Sequence, residues 1–157
     1  KIYTATVFNS IEAEEIATTQ EFTVEFECQP FAFGEIETHR KYIYGYEEYT
    51  VTNIGTKEIG LGSQQGAFFI IRITGTFDDI SISMNGKTIS YNTAITDSEI
   101  IIDNCNATIK ENNVNVIHNA EGDLGDFLTL NTGDNLVIVD GTNLDVEITF
   151  EFKPLWK

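Results

Sequence analysis

The residue types that usually perform catalysis or bind metals are present, but they are not spaced for either task. His39 and His118 are the only histidines, and Cys28 and Cys105 are the only cysteines. A zinc site needs three or four nitrogen and sulfur ligands, and nucleophilic catalysis needs a base beside the nucleophile. No HExxH, CxxC or GxSxG pattern places such groups together. The sequence therefore predicts no catalytic centre, no cofactor and no required metal.

Carboxylates are abundant, and they raise two further hypotheses. A glycosidase needs two carboxylates facing each other, whereas calcium needs several oxygen ligands gathered around one loop. The candidates among the 25 acidic residues are Asp103, Asp123, Asp126 and Asp134. Nothing in their spacing brings a pair together, and the EF-hand loop pattern is absent. The sequence gives no specific support for a hydrolase, and it supports calcium only through ligand type.

The overall charge narrows the classes of partner. Acidic residues outnumber basic ones 25 to 9, which gives a formal net charge of −16. Nucleic acids and anionic membrane surfaces are bound through Lys and Arg, so the sequence predicts neither partner.

The two cysteines are too few for a disulfide scaffold. We expect both to be small, buried, apolar side chains of a protein in a reducing compartment.

The elements that must position these side chains are predicted to be strands. Apolar and polar residues alternate along residues 22–28 and 146–152, and residues 67–74 are apolar on both faces. The dipeptides Asn85-Gly86 and Asp140-Gly141 each lie between two such runs, and both are typical of two-residue hairpin turns. Short strands with frequent turns predict an all-β fold, an antiparallel β-sandwich of two sheets.

The N-terminal part of the chain is predicted to be separate from the sandwich. Residues 29–41 interrupt the strand pattern, so a boundary is expected there, with domains at 1–40 and 41–157. The first domain is expected to contain one hairpin, roughly residues 2–8 with 21–28, and a turn or a single helical turn over residues 10–17. The chain begins at Lys1 within an apparent strand and without an initiator Met. We therefore expect a piece of a longer protein.

Three tyrosines suggest a binding surface. Tyr42, Tyr44 and Tyr46 follow each other at every second position, so they would share one face of a strand. Exposed, they could stack on sugars, and a carbohydrate-binding module is the alternative function. The favoured interpretation is that they pack against the neighbouring hairpin, since Tyr suits partly wet contacts.

Five stretches of the sequence, taken in order, carry a resemblance to a known family. They are "YTATVFNSIEAEE" (3–15), "FTVEFECQPFAFGE" (22–35), "EIIIDNCNATIKENN" (99–113), "GDFLTLNTGDNLVIV" (125–139) and "ITFEFKPLWK" (148–157). The first two resemble the closing hairpin of the first domain, and the other three the second domain, of the distal tail proteins of siphophages, also called the phage tail component family. The sequence departs from the family at Leu128 and Thr132, where the family commonly has proline.

The resemblance implies a galectin-like second domain carried on a homo-hexameric ring. Such a ring joins the tail tube to the baseplate or tail tip, so it implies a structural protein of the virion tail, made in the host cytoplasm. The implied partners are other tail proteins, and host cell-wall glycans belong to the alternative function. The residues implied to form a structural corner are Asp103, Gly125, Asp126, Phe127, Gly133 and Asn135, with the Asp126 and Asp134 carboxylates accepting backbone N–H groups in turns.

The same resemblance implies that part of the ring domain is missing from this chain. Phe22, Val24 and Phe26 would then lack their usual cover. We expect the hairpin either to associate with another chain, increasingly at high ionic strength, or to fold down onto the sandwich.

Overall fold

The computed structural model describes residues 5–7, 26–28, 32–63 and 65–157, with only the backbone in the first two segments. Almost all of its regular structure is β-strand, apart from a single 3-10 turn at Ile117–Asn119. No helix in these segments is long and apolar enough to cross a membrane. The strands are β1 (Ala5–Val7), β2 (Phe26–Cys28), β3 (Ala32–Phe33), β4 (Glu37–Ile43), β5 (Glu47–Asn53), β6 (Phe69–Phe77), β7 (Asp79–Met84), β8 (Lys87–Tyr91), β9 (Ile95–Asp103), β10 (Thr108–Glu111), β11 (Val114–Asn115), β12 (Ala120–Gly122), β13 (Gly133–Thr142), β14 (Asp145–Phe152) and β15 (Leu155–Trp156).

Two antiparallel sheets form the sandwich. One has six strands in the order β11-β10-β9-β6-β14-β4, and the other has five in the order β12-β8-β7-β13-β5. Strand β14 shows how the sequence produces this layer: Val146, Ile148, Phe150 and Phe152 are buried, whereas Glu147 and Glu151 lie on the outer face. The predicted all-β antiparallel sandwich is confirmed.

The turn at Asn85-Gly86 is confirmed, but the one at Asp140-Gly141 is wrong. Strands β7 and β8 pair directly across Asn85-Gly86. Strand β13, in contrast, continues through Asp140-Gly141 and pairs with β7, while β14 belongs to the other sheet. Gly141 serves close packing here, because a Cβ on it would lie 2.3 Å from the Asp79 carbonyl oxygen. An Asp-Gly pair alone does not distinguish these two uses of glycine.

The N-terminal hairpin is described only in part, and that part pairs as expected. Strands β1 and β2 pair antiparallel, with Thr6 opposite Glu27. Residues 10–17, Phe22 and Val24 lie outside the described residues, and so does the side chain of Phe26.

Strand β4 runs across the expected boundary between residues 40 and 41. It pairs with β14 at the edge of the six-stranded sheet, where His39 stacks on Phe152 with ring centroids 5.6 Å apart. An edge strand tolerates polar residues, which explains why its sequence lacks a strand pattern. Because β3 also pairs with β15, we propose that the boundary lies between Cys28 and Ala32.

Candidate functional site

The corner loop, residues 123–132, connects β12 to β13. Asp123 fixes its start, since its N–H donates to the Thr88 carbonyl (2.8 Å) and its carboxylate accepts the Thr88 N–H (2.7 Å). The other end is fixed by a reciprocal backbone pair between Ile59 and Leu130, at 2.9 and 2.8 Å. The loop is therefore attached to two different parts of the sandwich.

Apolar side chains bury the middle of the corner loop. Phe127, Leu128 and Leu130 have no solvent-exposed surface. Phe127 adopts a φ of +50°, in the left-handed region that bulky residues rarely occupy. Such strain persists only where the surrounding structure holds it, and the buried Phe127 ring supplies that restraint.

Asn135 joins the corner loop to both neighbouring elements of its sheet. Its side chain is fully buried, and Oδ1 accepts the N–H of Asn131 (2.8 Å) and the amide of Asn85 (2.6 Å). Its Nδ2 donates to the carbonyls of Val51 (3.2 Å), Asn131 (3.0 Å) and Gly133 (2.9 Å). All the hydrogen-bonding capacity of this amide is therefore used inside the protein.

The aspartates behave differently from one another. Asp103 accepts the backbone N–H groups of Cys105 (3.1 Å) and Asn106 (3.0 Å), which stabilises the turn after β9. Asp134 accepts the Thr52 hydroxyl at 2.7 Å instead of a backbone N–H. Asp126 is exposed, and its carboxylate accepts no hydrogen bond from the described residues. The expected backbone contacts of Asp126 and Asp134 are thus wrong, and Asp103 and Asp123 accept backbone N–H groups in this region instead.

Two buried asparagines were not expected from the sequence. Asn104 accepts the Leu128 N–H at 3.2 Å, so it ties the corner loop to the end of β9. Asn53 accepts the Gly55 N–H at 2.9 Å and donates to the Lys57 carbonyl at 3.0 Å. Neither residue lies in a recognisable motif, because each binds backbone that only the fold brings near.

The remaining candidates for chemistry are dispersed. His118 is exposed in the 3-10 turn, and His39 lies in β4. Within the described segments, no group of three or more His, Cys, Asp or Glu residues is arranged to hold a metal ion. Gly125 is exposed at the tip of the corner loop, with space around the position of an added Cβ. The geometry of this region is that of a fixed loop, and its polar groups mostly bind backbone.

The thiol of Cys105, in the turn after β9, gives a prediction that depends on pH. Burial, with a smaller contribution from Asp103, raises its pKa to about 11. In a Cys28→Ser background, we expect alkylation of Cys105 at pH 8 to be roughly 100-fold slower than that of an unperturbed thiol with a pKa of about 8.5. The rate should rise with pH up to about 11, measured by mass spectrometry after iodoacetamide treatment. A plateau near pH 9 would contradict the raised pKa.

The tyrosine loop, residues 42–46, is the second candidate surface. Strand β4 ends at Ile43 and β5 begins at Glu47, so Tyr42, Tyr44 and Tyr46 do not share one strand as expected. Their exposed fractions are 60%, 75% and 60%, which leaves most of each ring in solvent. The side chains of the N-terminal hairpin lie outside the described residues, so the favoured contact of these rings with that hairpin stays a prediction.

Carboxylates lie near the hydroxyls of two of these tyrosines. Interaction with Glu147 raises the pKa of Tyr42. The Tyr46 hydroxyl donates to Glu48, which raises the pKa of Tyr46 in the same way. Arg40 and Lys41 nearby are paired with Glu147 and Glu47. The loop thus presents aromatic rings beside acids and carries no unpaired cation of its own.

Comparison with known proteins identifies the fold. No protein-family model matches this sequence, and no curated protein matches it. Among solved structures, the chain is similar to the Dit protein (gp19.1) of phage SPP1, with a TM-score of 0.57 and 16% sequence identity. That protein is described as a paradigm of the hub adsorption apparatus in phages that infect Gram-positive bacteria. The match covers 83% of this chain and 51% of that one, so this chain spans about half its length.

Proposed function

We propose that this chain is part of a distal tail hub protein of a phage or prophage. The observation that carries the proposal is the fold match over 83% of the chain to a protein described as an adsorption-apparatus hub. Fold alone does not imply function. The ordered sequence motifs, from residues 3–15 to 148–157, add independent support for the same family.

The features of the corner loop suit a structural role. Its side chains mostly bind backbone and core, as in the five contacts made by Asn135. A sandwich held this way is a rigid support for attached proteins. We propose that the intact protein forms a hexameric ring that joins the tail tube to the baseplate or tail tip.

Deletion of the gene from its phage or prophage tests this function. We expect particles or tails that lack a normal distal end and that fail to adsorb to host cells, scored by negative-stain microscopy and by infectivity. Complementation with the full-length gene should restore both properties. Normal tail tips and normal adsorption without the gene would reject the proposal. The mass of the purified full-length protein in solution tests the hexamer separately.

A second candidate function is recognition of host cell-wall glycans by the tyrosine loop. The specific observation is the exposure of Tyr44, at 75%, close to Tyr46, whose hydroxyl donates to Glu48. Restrained rings lose little entropy when a sugar stacks on them. The neighbouring acids favour an uncharged saccharide over an anionic polymer.

Substitution of Tyr44 tests the glycan hypothesis. On a saccharide that the protein binds in an array, we expect Tyr44→Ala to weaken binding about fivefold, because a stacking contact contributes roughly 1 kcal/mol. Tyr44→Phe is the matched control, since it keeps the ring and should retain most of the affinity. The absence of binding to any array saccharide, or equal binding by Tyr44→Ala, would reject this second function.

A further inference from the structure

The turn between β7 and β8 contains the dipeptide Asn85-Gly86, the single Asn-Gly pair in the sequence. Both residues are exposed, with φ values of +53° and +78°, as a type I′ turn requires. Asn-Gly is also the pair most prone to deamidation, because glycine leaves its backbone nitrogen sterically accessible. The turn thus combines a structural requirement with a chemical liability.

The reaction needs no group beyond this dipeptide and water. The backbone nitrogen of Gly86 attacks Cγ of Asn85 and loses its proton, and the bond from Cγ to Nδ2 breaks as ammonia leaves. The resulting succinimide ring is then opened by water, which yields either an aspartate or an isoaspartate at this position. No oxidant, reductant or cofactor takes part.

The Asn85 side chain also connects the turn to the corner loop. Its Nδ2 donates to the Thr129 carbonyl (2.7 Å) and to Asn135 Oδ1 (2.6 Å), across 44 and 50 residues of sequence. Both partners are acceptors, and Asn135 is fully buried. A carboxylate in place of this amide would have no proton to give to either of them.

We propose that Asn85 is a deamidation site that the fold protects, and that its conversion releases the corner loop from the β7–β8 turn. The two hydrogen bonds hold the leaving amide group, and the turn fixes the backbone that must rotate for ring closure. Deamidation therefore requires this turn to open. The loss of ammonia makes the chemical change irreversible, and at neutral pH two acceptor–acceptor contacts then oppose reclosure of the turn.

The first experiment compares rates of deamidation in the folded and unfolded chain. The purified protein is incubated at pH 9 with and without concentrated urea, and its peptides are mapped by mass spectrometry. In urea we expect Asn85 to convert before every other asparagine, and in buffer at least about tenfold more slowly, because only opened molecules react. Asn143 is the matched control, as it has a φ of +54° but precedes leucine. Equal rates at Asn85 in both conditions would overturn the proposed protection.

The second experiment tests the consequence with two variants that tolerate a positive φ. Asn85→Gly removes the two donors, and Asn85→Asp places a carboxylate beside the same acceptors. At pH 7 we expect Asn85→Asp to melt about 2–4 °C below Asn85→Gly. Because the acceptors raise the pKa of the new carboxyl above its unfolded value, this difference should vanish as pH falls below about 4, where the protonated acid donates.

The charged groups around this position set the size of the effect. Lys87, whose Nζ lies 3.2 Å from the Thr129 hydroxyl, would attract a carboxylate here. Asp123, which accepts the Thr88 N–H, and Asp126 and Asp134 add negative charge to the same region. The two acceptors are in direct hydrogen-bonding distance of the Asn85 side chain, so we expect repulsion to exceed the attraction of Lys87. An Asn85→Asp variant that melts at or above Asn85→Gly at pH 7 would overturn the proposed release.

Discussion

Replacing Asn135 with alanine is expected to lower the free energy of unfolding by about 2–4 kcal/mol. The amide is fully buried and makes five hydrogen bonds, to Asn131 twice, Asn85, Val51 and Gly133. Its removal leaves several buried donors and acceptors without partners, and each such group costs about 1–3 kcal/mol if water does not reach it. Urea unfolding followed by tryptophan fluorescence measures the change through the midpoint.

Asn131→Ala is the matched control for this prediction. The Asn131 side chain is exposed, and its two contacts with Asn135 are made by backbone atoms that alanine retains. We therefore expect a change within about 0.5 kcal/mol. If Asn135→Ala and Asn131→Ala have equal effects, the buried amide is not what fixes the corner loop.

The second large effect is expected at Phe127, where the relative stability of the alanine and glycine variants tests for backbone strain. Phe127→Ala should cost about 3–5 kcal/mol, because a fully buried ring is removed and a cavity remains. Glycine normally destabilises more than alanine, because its backbone loses more conformational entropy on folding. At a φ of +50°, however, alanine carries a left-handed penalty of about 1–2 kcal/mol that glycine avoids. We expect Phe127→Gly to be more stable than Phe127→Ala.

Leu128 provides the control, because it is equally buried but does not have a positive φ. There we expect the ordinary order, with Leu128→Gly less stable than Leu128→Ala by about 0.5–1 kcal/mol. The measurement is the midpoint urea concentration of unfolding, compared between variants that have the same m-value. The same order of alanine and glycine at both positions would show that backbone strain at Phe127 does not affect stability.

These predictions bear on the proposed function. A hub must keep its shape while other proteins attach to it, and the corner loop is held at Ile59, Thr88, Asn104 and Asn135, four widely separated points of the sequence. Substitutions that free this loop should therefore affect tail assembly through stability, whereas Tyr44→Ala should leave stability unchanged. The two classes of variant separate a structural role from direct recognition.

Local patterns in the sequence are enough to predict the fold class and the inward faces of the strands. Strand periodicity is local, since successive side chains point to opposite faces, so the alternation from Val146 to Phe152 identifies the buried side without knowledge of any partner. The turn at Asn85-Gly86 is local in the same sense, because it depends on two backbone angles. The net charge of −16 likewise follows from composition alone.

Long-range packing, in contrast, sets which strands are neighbours and which polar groups meet. No local pattern shows whether β13 pairs with β14 or with β7. In the structure β13 pairs with β7, and β14 belongs to the other sheet. The contact of Asn135 with Asn85, and that of Asn104 with Leu128, depends on this long-range arrangement. A buried amide is specified by the backbone groups around it, and those groups come from segments that no local pattern connects.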